Sequence, residues 1–106
     1  MNVLFVCSRN RLRSPTAEAV FSGRNGIETL SAGTAPDAVT PLSAELIDWA
    51  DTIFAMETIH RRKVEQQFGE TRKKIIVLGI PDKYLYMDPK LVELLRKKVA
   101  PFLPAS

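Results

Sequence analysis

Apolar and polar positions fall in blocks along this chain. Residues 2–6 (NVLFV) form an apolar run too short for a helix and too apolar for a half-solvated strand, which predicts a strand buried on both faces. From Ser14 the spacing becomes helical. Ala17, Val20 and Phe21 recur at the helical interval, Ser14 is a candidate cap, Pro15 suits the first helical position, and Asn25-Gly26 ends the element. Residues 28–32 read as a second strand closed by Gly33, and 34–41, with two prolines and no periodicity, as a loop. Residues 42–49 predict a short helix with Leu42, Leu46 and Trp49 inward. A third strand follows at 52–56, a strongly charged helix at 57–68 and a fourth strand at 75–78. The stretch 79–88 is a loop punctuated by Pro81, and Pro89 opens a last helix through about residue 99.

Strands that alternate with helices predict an α/β fold: a three-layer sandwich around a four-stranded parallel sheet. Right-handed crossovers favour the flavodoxin-like order 2-1-3-4, whose ligand crevice lies beyond the carboxyl ends of the strands. Cys7 falls at that edge, and so does the loop that carries Asp88. The whole chain, 1–106, reads as one domain, without an internal repeat or linker.

Composition changes this picture little, and charge placement changes it more. The chain is 45% hydrophobic and 25% charged with a formal net charge of +3, an ordinary globular balance. Cations cluster at 9–13, 61–63 and 72–74, whereas 37–57 is acidic. Arg61, Arg62 and Lys63 read as a solvated helix face, the sole histidine, His60, as a surface helix position, and Trp49 and Phe54 as core. No apolar run approaches the ~18 residues that span a bilayer, and no export signal is evident. A single cysteine forms no intramolecular disulfide and offers no Cys-rich metal site, so the expectation is a reduced, cytoplasmic protein without metal or cofactor.

That cysteine sits where chemistry is expected. Cys7 ends the first strand, Arg9, Arg11 and Arg13 follow at alternate positions, and no carboxylate appears before Glu18. A loop from a strand end to a helix start exposes unpaired N–H groups beside the positive helix dipole, which makes an anion site. Five residues separate Cys7 from Arg13, enough for the backbone of Ser8, Arg9, Asn10, Arg11 and Leu12 to wrap one tetrahedral oxyanion while Arg13 clamps two of its oxygens. The same field favours the thiolate, a nucleophile in line with a bound phosphoryl group, and the Ser14 hydroxyl is placed to donate to it.

The segment LFVCSRNRLRSPTAEAVF resembles the active-site segment of the low-molecular-weight protein tyrosine phosphatases, with its Cys-x5-Arg-Ser-Pro loop and central Asn, here Asn10. The resemblance continues in LSAGT (30–34), WADTIFAME (49–57) and Asp88-Pro89. It implies that Cys7 carries a phosphocysteine intermediate, that Arg13 binds the phosphoryl oxygens, and that Asn10 and Ser14 organise the loop. Asp88 would be the general acid, with Asp82 in the same loop as the alternative. The implied substrates are a phosphotyrosine protein or a small aryl or nucleotide phosphate, and inorganic phosphate or sulfate would occupy the loop.

The chain departs from that pattern at several positions. Leu12 stands where the family commonly has a second, protective cysteine, and the region after SAGT is short by several tens of residues. Lys90-Leu91 replaces the aromatics that often follow Asp-Pro, while Tyr84 and Tyr86 precede it, either as a slot for an aromatic ester or as ordinary half-buried tyrosines. Arg9 and Arg11 replace residues that are usually small or apolar; they either reach a second anionic group on the substrate, such as another phosphate or a nucleic-acid backbone, or face solvent. Arsenate reduction and phosphate carriage through the same loop are the alternative chemistries. The first lacks the further cysteines of that relay, and the second needs no hydrolytic acid. An RNA-binding role rests on basic clusters alone.

Overall fold

The computed structural model describes residues 1–69 and 71–104. Its elements run β1 (Asn2–Cys7), α1 (Arg13–Phe21), β2 (Glu28–Gly33), α2 (Ala44–Trp49), β3 (Thr52–Ala55), α3 (Thr58–Phe68), β4 (Lys74–Val77) and α4 (Pro89–Val99), with a 3-10 turn at Ala100–Phe102. The four strands pair in parallel in the order β2-β1-β3-β4, as the alternation of strand and helix predicts.

β1 is the centre of the sheet, and its side chains serve both faces. Val3, Phe5 and Cys7 join Ala17 and Phe21 of α1 and Leu91, Leu95 and Val99 of α4. Leu4 and Val6 join Ile47 of α2 and Val64 of α3 on the opposite face. Three layers result. Phe5 stacks on Phe21 at 5.8 Å and on Phe54 at 5.4 Å between ring centroids, so one ring ties β1 to α1 and β3. Burying a side chain of this size contributes about 1.5–3 kcal/mol. Phe54 is core as expected, while Trp49 is only half-buried at the margin of the second cluster.

Three expectations need correction. Ser14 does not cap α1: the helix begins one residue earlier, at Arg13, with Leu12 at its N-cap and no side-chain cap bond. The Ser14 hydroxyl is turned to the cysteine instead. His60 is wholly buried, because the third residue of α3 points back under the loop after β1 rather than out to solvent. Leu42 lies before α2, which starts at Ala44 behind a Ser43 side-chain cap on the Leu46 amide.

The register places Cys7 beside Gly33 at the carboxyl edge of the sheet, one step beyond the last pair of β1 with β3, Val6–Ala55. This is the edge at which open parallel sheets hold ligands.

Candidate active site

The segment between Cys7 and α1 is held by its carbonyls. Amides of the loop after β2 take them in turn: Thr34 donates to Cys7 O at 2.9 Å, Ala35 to Ser8 O at 2.9 Å and Val39 to Arg9 O at 3.1 Å. In a trans peptide the N–H points opposite to the C=O, so the following amides, Ser8 to Asn10, are turned away from that loop and kept for another acceptor. The fit is close enough to require glycine at position 33. A Cβ there would lie 2.5 Å from Ser8 O and 2.6 Å from the Ala38 Cβ.

Asn10 adopts the left-handed conformation, φ 59°, which Asn tolerates better than most residues. Its side chain braces the bend. Oδ1 accepts from the Thr40 amide at 3.2 Å, and Nδ2 donates to Ser14 Oγ and Ser31 Oγ, both at 2.9 Å. Ser31 passes its own hydrogen to Glu18 Oε1 at 2.7 Å. Ser14 Oγ lies 2.9 Å from Cys7 Sγ. Ser14 accepts from Asn10, and its own hydrogen can turn either to Ala32 O, a long 3.5 Å away, or to the nearer sulfur; toward a thiolate the hydroxyl is necessarily the donor.

Arg13, only 3% exposed, is oriented by two other elements. Its Nη1 donates to Glu57 Oε1 at 2.5 Å, at the start of α3, and to Ile80 O at 2.8 Å, beyond β4. These bonds leave Nη2 and Nε for an anion in the cleft that Arg13 lines. Asp82 Oδ1 is 3.6 Å from Nε.

Beneath the loop lies His60. The Glu57 amide donates to its Nδ1 at 3.0 Å, so in the neutral ring the proton resides on Nε2, 2.9 Å from Ser8 Oγ. Ser8 then accepts from the imidazole and keeps its own hydrogen for the cleft. Burial, reinforced by the Arg13 guanidinium, lowers the His60 pKa from 6.5 to about 4, which keeps the ring neutral at physiological pH.

Cys7, Ser8, Arg9, Arg11, Leu12, Arg13 and Asp82 together line one cleft of about 520 Å³. The expected phosphate-binding stretch is thus brought together, with Asn10 and Ser14 behind it as buried braces. The expected acid is not. Asp88 caps α4, its Oδ1 accepting from the Lys90 amide at 2.9 Å, and Asp82 lines the cleft in its place. Neither tyrosine lines it: Tyr84 packs against the core with Lys83 Nζ 5.5 Å from its ring centroid, and Tyr86 is 53% exposed. The contacts of Ser31, Glu57 and His60 with residues 8–14, and of Glu18 with Ser31, escaped the sequence reading; the LSAGT and WADTIFAME stretches that hold Ser31 and Glu57 signalled the family but not these partners.

No family model matches the chain. A protein-arginine-phosphatase of Bacillus subtilis is 33% identical over 105 residues, covering 74% of this chain and 70% of the relative. Among solved structures, the arginine phosphatase YwlE, a cysteine-to-serine mutant with its active-site serine phosphorylated, superposes with a TM-score of 0.72 at 28% identity over 92% of each chain. A low-molecular-weight protein tyrosine phosphatase of T. tengcongensis superposes with a TM-score of 0.76 at 25% identity, over 97% of this chain and 99% of its own.

Proposed function

The chain belongs to the low-molecular-weight protein tyrosine phosphatase family, cysteine-dependent hydrolases of phosphorylated substrates, and from that premise we propose that Cys7 is its nucleophile, Arg13 its phosphoryl clamp and Asp82 its general acid. The observation that carries this reading is the cleft itself: one sulfur in its lining, 2.9 Å from a hydroxyl donor, with the Arg13 guanidinium and, 3.6 Å from it, the exposed Asp82 carboxyl group on its walls.

Two displacements at phosphorus complete the reaction. The Cys7 thiolate attacks in line, forming the S–P bond as the bond from phosphorus to the leaving oxygen breaks, and Asp82 gives that oxygen its proton. The Asp82 carboxylate then takes a proton from water as the water oxygen attacks phosphorus, which breaks the S–P bond and returns the thiolate. Loop amides, Arg13 and the Ser8 hydroxyl bind the equatorial oxygens, where charge is spread in the transition state. Ser14 stabilises the sulfur each time it is an anion.

Asp82 is preferred to Asp88 on position. Asp88 spends its carboxylate on the start of α4, whereas Asp82, with its side chain 64% exposed, stands beside Arg13 at the cleft. A pure phosphate carrier would not need it. Phosphoarginine and phosphotyrosine, the substrate classes in the relatives' names, share the phosphoryl group and the in-line attack and differ in the leaving atom, nitrogen or oxygen.

Hydrolysis of phenyl phosphate and p-nitrophenyl phosphate by wild type, Cys7→Ser, Asp82→Asn and Asp88→Asn tests the assignment. Cys7→Ser loses turnover. Asp82→Asn loses on the order of 10²–10⁴-fold with phenyl phosphate, and less with p-nitrophenyl phosphate, whose phenoxide leaves without help. Asp88→Asn stays near wild type, because Asn caps a helix as well as Asp does. The reverse pattern for the two aspartates would restore Asp88 as the acid, and full activity of Cys7→Ser would remove the covalent pathway.

A further inference from the structure

Two of the three loop arginines have no part in the reaction just described. Arg9 and Arg11 are exposed and line the same cleft as Cys7. Among the described residues the ion pairs pass both by: Glu57 and Asp82 pair with Arg13, and the remaining pair, Arg61–Glu65, lies on α3. The rim is therefore a local excess of positive charge directly beside the phosphate bowl.

Its backbone is fixed although its side chains are exposed. Arg9 O is held by the Val39 amide, and Asn10, between the two arginines, is locked by three side-chain hydrogen bonds. A guanidinium on such a base is a fork for carboxylate or phosphate. The other lining residues sharpen the choice. Leu12 is the one large apolar side chain on the cleft wall among the described residues, and no aromatic ring lines it. A lone phosphotyrosine ring finds no stacking partner, and the guanidinium of phosphoarginine meets two like charges.

We propose that Arg9 and Arg11 form a second-anion subsite, and that the preferred substrate is a small phosphomonoester bearing a second phosphate within reach of the loop. The inference rests on the reading of Cys7 and Arg13 as the site of the reacting phosphoryl group. A small molecule is favoured over a polymer because the basic rim is bounded. Arg61 and Lys73, from the other cationic clusters, line a separate hollow with Glu65 rather than extending this one. A cleft of about 520 Å³ also falls within the range of small-ligand sites.

The test compares adenosine 3′,5′-bisphosphate with adenosine 3′-phosphate and adenosine 5′-phosphate, and uses p-nitrophenyl phosphate to report the basic chemistry. The expected result is a kcat/KM for the bisphosphate on the order of tenfold above either monophosphate at low salt, shrinking toward one in 0.5 M salt as exposed charges are screened. In Arg9→Gln/Arg11→Gln the ratio of bisphosphate to monophosphate falls to about one, whatever the absolute rates. Salt dependence of the wild-type ratio gives the same answer if that variant does not fold. A ratio near one in wild type with active p-nitrophenyl phosphate hydrolysis overturns the subsite and leaves the phosphatase reading intact. Equal losses on both substrate kinds in the variant also overturn it. Preference for a phosphoarginine peptide, an acidic phosphotyrosine peptide or a 3′-phosphorylated RNA over the bisphosphate overturns the substrate class. Absence of all Cys7-dependent hydrolysis removes the reading on which the inference rests.

Discussion

The sole imidazole of the chain offers a prediction in which one group can be isolated. His60 is wholly buried and neutral, with Nδ1 accepting from Glu57 and Nε2 donating to Ser8. Burial first and the Arg13 charge second place its pKa at about 4, against 6.5 in an unfolded chain. Between those values the unfolded state binds a proton that the folded state refuses, so stability falls as pH falls. Each pH unit in the window costs about 1.4 kcal/mol. Full stability is present above the unfolded value, and about 2 kcal/mol is lost by pH 5. The assay is urea unfolding at pH 7.5 and pH 5, followed by Trp49 fluorescence, for wild type and His60→Gln. Carboxylates titrate in both proteins and cancel in the comparison. The variant starts lower at pH 7.5, by about 1–3 kcal/mol for the broken hydrogen bonds, but its fall between the two pH values is smaller than that of wild type by about 2 kcal/mol. Parallel pH profiles, or an imidazole that titrates near 6.5 by NMR, would refute the reasoning.

Two further substitutions probe the loop. Gly33→Ala drives a methyl group to 2.5 Å from Ser8 O, and since backbone rather than a flexible side chain must give way, we expect a loss of about 1–3 kcal/mol in stability and on the order of 10²-fold in kcat/KM, read from thermal melts and p-nitrophenyl phosphate turnover. Unchanged values for both would mean that the loop does not depend on this contact. Ser14→Ala removes the hydroxyl 2.9 Å from Cys7 Sγ while leaving an apolar residue that suits a helix, and should slow turnover by about 10–10²-fold with a stability change of about 1–2 kcal/mol. Wild-type kcat in this variant would free the thiolate from any need of that donor.

The fold was legible because its signals are local and periodic. NVLFV cannot be half-exposed, the first two helices carry apolar spacing and the last opens at Pro89, and four strands separated by helices leave few right-handed arrangements. Loop chemistry was legible for the same reason, since Cys7 to Ser14 is continuous in the chain. What stayed hidden was built from distant pieces. His60 reads as polar among Arg61, Arg62 and Lys63, and only the crossover from β3 to α3 shows that its helix starts against Ser8, 52 residues earlier. Ser14 followed by Pro15 looks like a cap, and a capping residue is what the local pattern supports; the thiol that outbids the helix for its hydroxyl lies seven residues away across the loop.

The same logic bears on the two candidate acids, between which proline does not choose. Pro89 restricts Asp88, but Pro81 likewise fixes the chain just before Asp82, so rigidity favours neither. Tertiary constraint separates them. Ile80 is wholly buried, and its amide donates to Met56 O while its carbonyl accepts from Arg13, so the chain leaves β4 already bound to the loop, and Asp82 follows two residues later. Farther on, the Met87 amide is bound by Thr16 of α1, and Leu91, Leu95 and Val99 of α4 are buried against the face of the sheet that α1 also covers. Asp88 is thereby committed to the start of a docked helix, where its carboxylate meets the Lys90 amide. An acid must reach a leaving group held at the sulfur, and the proposal of Asp82 for that role rests on this difference: its carboxylate lines the cleft two residues from the Arg13 anchor, whereas that of Asp88 is bonded at a helix terminus.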